Sequence, residues 1–170
     1  MTAEQYATKV TRTSTEALLS IRAYRSTIGL SMEADVTSVA WSHACVVGVK
    51  AMDDQHGILM DTLNELHLQL VRGTGHDKLH EHIERLVEFT GLHFGCEESL
   101  LERYGFPGLE EHRAAHQRLM SEIRQAADRV EHGRESEFQR LLSFLSSSYL
   151  QHIEALDRQY GAWLNARGIY

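Results

Sequence analysis

One proline, Pro107, interrupts 170 residues. Proline is the most reliable helix breaker, so its scarcity leaves long stretches free to be helical and disfavours folds built on frequent tight turns. Cysteine is nearly as rare, with Cys45 and Cys96 standing alone and no C-x-x-C pair. That spacing supports neither a disulfide framework nor a cysteine zinc site, and both read as reduced thiols, Cys96 as one that packs. No apolar run approaches the roughly 18 residues a bilayer span needs, and the N-terminus lacks the basic-then-apolar order of a secretory signal. A cytoplasmic protein with no membrane partner is expected. Positive charge is also short: 17 basic residues face 24 acidic ones, for a net charge of -7. The basic residues are scattered rather than gathered in a stripe, so nucleic acid is not an expected partner.

What the chain has in excess is histidine, eleven in all, and their spacing decides what they mean. Residues 1 to 31 place Leu18, Ile21, Tyr24 and Ile28 at steps of three and four, which predicts one amphipathic helix ending near Gly29. Residues 32 to 53 have no helical period and read as an irregular arm laid over a core, with Trp41 burying a large apolar surface at one end. From Asp54 the alternation is regular through His56, Leu59, Leu63, Leu66 and Leu70, ending at Arg72-Gly73-Thr74-Gly75. A second helix spans about His76 to Tyr104 and stops at Gly105-Phe106-Pro107-Gly108. The third runs from about Leu109 to His132, closed by Gly133, and the fourth from about Glu135 to Ala166. The fold class expected is all-α: an up-down-up-down antiparallel four-helix bundle over 36–170, preceded by an N-terminal helical extension over 1–35.

Six polar residues occupy inward positions that leucine fills elsewhere: His56, His93, Glu97, His112, His116 and His152. Burying a polar group without a partner costs roughly 1 to 3 kcal/mol, so six would consume most of a small domain's stability. Something must bind them. Residues four apart on a helix differ by about 40° in direction, so His93 with Glu97, and His112 with His116, each offer two ligands to one place. Imidazole with carboxylate suits first-row metals such as iron, manganese or zinc, and four helices can share a metal only at the bundle centre. The remaining histidines, His43, His67, His76, His80, His82 and His132, read as solvated surface, and so does Glu98.

Over residues 41 to 160 the chain resembles a bacterial hemerythrin. The resemblance rests on Trp41 with Val47-Gly48-Val49, Asp53-Asp54-Gln55-His56, His93-Phe94-Gly95-Cys96-Glu97-Glu98, His112 and His116 after the Pro107 turn, and His152-Ile153 with Asp157-Arg158. It implies a cofactor of two iron ions with a bridging oxo or hydroxo group. His112, His116 and His152 would hold one iron, His56 and His93 the other, and Glu97 and Asp157 would bridge. The second iron would then be one ligand short, leaving a position at which dioxygen would bind as a hydroperoxide. Asp157 comes from the resemblance alone, because five residues on an ideal helix turn about 140° away from His152. A reach from a neighbouring face or a local bulge would bring it in, while taken alone it reads as a surface aspartate.

The chain departs from the pattern at two places near the expected oxygen pocket. Ser148 and Tyr149 stand where such proteins commonly have Trp-Leu, and Leu101 stands where methionine is frequent. Tyr149, three residues before His152, either turns its hydroxyl towards the pocket or packs between helices. The function implied is dioxygen binding for storage, delivery or sensing. The alternatives are a di-iron enzyme acting on peroxide or nitric oxide, and a sensor that signals through residues 1 to 31 by self-association or a partner protein.

Overall fold

In a computed structural model, the described residues are 45–73, 75–130 and 135–170. The expectations for the N-terminal helix, the arm up to residue 44, Trp41, His43, the division at residue 35, His132 and Gly133 lie outside them. Four long helices follow in order: α1 Lys50–Val71, α2 His76–Tyr104, α3 Leu109–Val130 and α4 Glu135–His152. A π-helical turn, Ile153–Asp157, then leads into a short helix α5, Arg158–Asn165. Among the described residues there is no strand and no helix long and apolar enough to cross a membrane.

Helix α1 begins at Lys50, four residues before the expected start, so the irregular arm ends earlier than its residues suggested. Hydrophobic period does not set this boundary. The Asp53 carboxylate does, accepting the Val47 N–H at 2.8 Å and the Gly48 N–H at 3.1 Å across a turn that Gly48 makes at φ 79°. At the other end of the bundle's second helix, expectation and structure agree. Gly105 is left-handed at φ 71°, and the Phe106 N–H returns to the Leu101 carbonyl at 2.9 Å, the bond that terminates a helix at a glycine.

Successive helices pack side by side and α4 closes against α1, so the short connections make an antiparallel bundle. Leu59, Leu63 and Leu66 of α1, Ile83 and Leu86 of α2, Ile123 of α3, and Leu141 and Leu145 of α4 fill its interior. Each such side chain contributes about 1.5 to 3 kcal/mol when fully buried. Helix α5 and residues 45–49 seal one end. A Cβ on Gly161 would lie 2.3 Å from the Val47 carbonyl oxygen, so only glycine allows this approach. The expected single fourth helix is therefore two helices joined by a π-turn, and that turn lies beside the polar cluster.

Candidate metal centre

Each helix delivers part of the cluster: His56 from α1, His93 and Glu97 from α2, His112 and His116 from α3, His152 from the end of α4, and Asp157 from the π-turn. All seven are buried, with Glu97, His56 and Asp157 completely inaccessible. Their donor atoms form two groups sharing Glu97. Glu97, His112, His116, His152 and Asp157 offer atoms within 4.8 Å of one another, and so do His56, His93 and Glu97. Asp157 reaches both groups, with Oδ1 3.1 Å from His152 Nε2 and Oδ2 3.3 Å from His56 Nε2. A π-turn closes hydrogen bonds five residues apart, so a five-residue step returns Asp157 to the face of His152. The surface position suggested by that aspartate alone is corrected here, and the local bulge is the physical reason.

The tautomers follow from what the outward nitrogens do. His56 Nδ1 donates to the Cys45 carbonyl at 3.3 Å, His93 Nδ1 to Gln55 Oε1 at 2.9 Å, and His116 Nδ1 to Glu98 Oε1 at 2.8 Å. The Nε2 lone pairs of these rings are then left facing the centre. There they crowd: His116 Nε2 and His152 Nε2 are 3.0 Å apart. His56 Nε2, Glu97 Oε2 and both Asp157 oxygens are buried without a hydrogen-bond partner, although His112 Nε2 reaches the other Glu97 oxygen. Four orphaned atoms and converging lone pairs are costly in a dry core unless cations sit among them. The set fits a pair of first-row metals.

Electrostatics agree. Burial, then the Asp157 charge, pushes the Glu97 carboxyl well above its usual range. Burial would also raise Asp157, but the imidazoles of His152 and His56 beside its two oxygens outweigh it and hold that carboxyl low. Without a cation the two carboxylates do not ionise together comfortably. Burial, then the neighbouring His56, takes His93 well below the ordinary imidazole value, and burial lowers His112 and His116 as well. His56 moves up, because Asp157 overcomes the effect of burial. Three neutral imidazoles beside two carboxylates are ready to donate to metal.

Several residues around the centre were not singled out by the sequence. Glu98 is corrected from solvated surface to an acceptor for His116, and it is tied to Arg113 Nε at 3.6 Å. Its 100° offset from Glu97 turns it away from the metals but towards the next helix. Burial raises its carboxyl, with Arg113 holding the rise back. Phe94 stacks on His116 with ring centroids 3.8 Å apart and planes 8° from parallel. Tyr160, fully buried and without a hydrogen-bond partner, sits edge-on to His112, and its phenol is pushed up by burial and then by Glu97 and Asp157. Its place three residues after Asp157 was the one sequence signal available for it.

The pocket candidates separate. The Tyr149 hydroxyl bonds Thr90, each three residues before a site histidine, in a layer beyond His93 and His152. Leu101 is buried four residues past Glu97, about 16 Å along α2 from Thr90 at 1.5 Å per residue, on the other side of the centre. Ser148 is half-buried. Cys96 is half-buried too, and burial raises its thiol. Of the other histidines, His76 is exposed and His67, His80 and His82 are half-buried.

Four antiparallel helices around buried histidines and two shared carboxylates define a di-metal bundle protein. A sequence profile of the hemerythrin HHE cation binding domain matches residues 47–164, and the chain belongs to that family. Among similar proteins are the bacteriohemerythrins of Methylococcus capsulatus, 25% identical over 67% of this chain and 86% of that one, and of Ralstonia nicotianae, 27% identical over 76% and 91%. That of Pseudomonas aeruginosa is 29% identical over 72% of this chain and 78% of its own. A solved structure of a hemerythrin variant covers 72% of this chain and 94% of its own with a TM-score of 0.62 at 23% identity, a likeness of fold. The domain is one that binds a di-iron centre, and the cluster described above is where this chain can hold it.

Proposed function

We propose that this protein binds dioxygen reversibly at a di-iron centre in the cytoplasm and uses that binding for storage, delivery or sensing rather than for turnover. In this reading His112, His116 and His152 would hold one iron and His56 and His93 the other, with Glu97 and Asp157 within reach of both groups. Iron bound there would supply the redox chemistry by which dioxygen is held.

The observation that carries the reading is that all seven donors are buried and the neighbouring phenols are kept neutral, Tyr149 by burial and Tyr160 by burial and adjacent carboxylates. Every acid and base of the cluster is available as a metal donor, and a water-poor site slows the side reactions that would make binding irreversible. Tyr149 and Thr90 close the core on the side of His93 and His152, where they limit what can approach.

The test is the absorption spectrum of reduced, iron-loaded protein before air, in air, and after oxygen is removed again. A charge-transfer band that comes and goes with oxygen is expected. Irreversible conversion to a ferric form, or multiple turnovers with peroxide or nitric oxide, would favour the enzyme reading instead. If Tyr149→Phe and Tyr149→Leu both left oxygen affinity and autoxidation rate unchanged, Tyr149 would have no part in the pocket.

A further inference from the structure

The outward nitrogens of three of the site histidines are held by acceptors of unequal charge. His56 has a backbone carbonyl, His93 has the Gln55 amide, and His116 has the Glu98 carboxylate at 2.8 Å. Two acceptors are neutral and one is ionic. A carboxylate that accepts from an imidazole N–H draws the proton towards itself and leaves more electron density on the opposite nitrogen, making the ring a stronger metal ligand. Stronger donation favours the higher oxidation state of the metal it reaches.

Glu98 is itself anchored. Arg113 lies three residues before His116 on α3, and besides Glu98 it holds Glu102 at 3.1 Å and Glu110 at 2.8 Å. The His116 ring is therefore fixed by Phe94 on its face and Glu98 at its outer edge, with Nε2 alone left for the centre. Arg113 draws charge away from Glu98 and so works against the push.

Resting on the di-iron reading above, we propose that Glu98 is a positioning residue that makes the two metal positions electronically unequal. Through His116 it lowers the reduction potential of the metal held by His112, His116 and His152 relative to the one held by His56 and His93, and Arg113 sets how far.

The experiment uses the iron-loaded full chain at mildly alkaline pH, with bound iron, midpoint potential and the Mössbauer spectrum as readouts. Glu98→Gln keeps an oxygen that accepts from Nδ1 but removes the charge; both irons should stay, the potential should rise, and one of the two iron signals should change. Glu102→Gln removes the same charge on the far side of Arg113 without touching a site histidine and should move the potential much less. Arg113→Gln should move it down. Glu98→Ala, which removes the bond as well, should weaken metal binding roughly 10- to 100-fold. Glu98→Gln protein with both irons and an unchanged potential, or a shift no larger than that of Glu102→Gln, would overturn the proposal and leave the di-iron reading standing. Should Glu98→Gln shed iron, the Arg113→Gln protein decides: a downward shift supports the proposal and no shift overturns it. Wild-type protein that binds fewer than two irons would instead sink the reading on which it rests.

Discussion

Thr90 Oγ1 donates to the Leu86 carbonyl at 2.8 Å and also bonds the Tyr149 hydroxyl, which ties α2 to α4 directly beyond the metal cluster. Because Thr90 keeps Leu86 when the phenol is lost, Tyr149→Phe should cost only about 1 kcal/mol in urea unfolding, the ordinary worth of one hydrogen bond. Gly161→Ala should cost more. Its new Cβ meets the backbone oxygen of Val47, which has little room to yield, and the overpacking penalty of roughly 1 to 3 kcal/mol exceeds the gain in helix propensity of at most about 1 kcal/mol. At this scale the sequence was readable where spacing and burial cost coincide: His93 with Glu97 and His112 with His116 declared themselves as pairs. It was not readable for Gln55, Glu98, Phe94 and Tyr160. Their roles depend on what a different helix brings opposite them, and no period within one helix reports that.

The π-turn at Ile153–Asp157 is the element on which the second carboxylate depends. It absorbs one residue more than an α-helix would need, so deleting Ala155 should leave a continuous helix with the aspartate four residues after His152, on nearly the same face. That variant should keep its iron. Inserting one alanine at the same place should demand a second bulge, swing the aspartate off the centre and lower bound iron, as metal analysis would show. Four long helices were legible from apolar period, and the stop of the second from the run Gly105-Phe106-Pro107-Gly108, but the break in the fourth helix was not. Ile153, Glu154, Ala155 and Leu156 include no proline or glycine to announce it. The bulge is set by tertiary demand for Asp157, and the family resemblance, rather than the helix geometry, pointed to that residue. The start of α1 was missed for a related reason, since Asp53 holds the turn at Val47 and Gly48 by polar bonds that hydrophobic period ignores.

Across the molecule, the bundle's leucine interior and its metal end stand in tension. The lower layers bury apolar side chains that stabilise without help, whereas the centre buries Glu97, Asp157 and five histidines whose atoms are left partly unpaired. Metal that binds the folded chain and not the unfolded one stabilises by about 2.7 kcal/mol when present at 100 times its dissociation constant. For a domain of this size that corresponds to a rise in melting temperature of roughly 5 to 11 °C, which a chelator should reverse. An unchanged melting temperature would mean that the buried cluster has found some other compensation.

The most direct test of the account is the iron content of purified, reconstituted protein, measured beside an Asp157→Ala variant. Two irons per wild-type chain, with less in the variant, is the predicted result. One iron or none in the wild type, or two irons in both proteins, would contradict a centre in which Glu97 and Asp157 are shared between two metals.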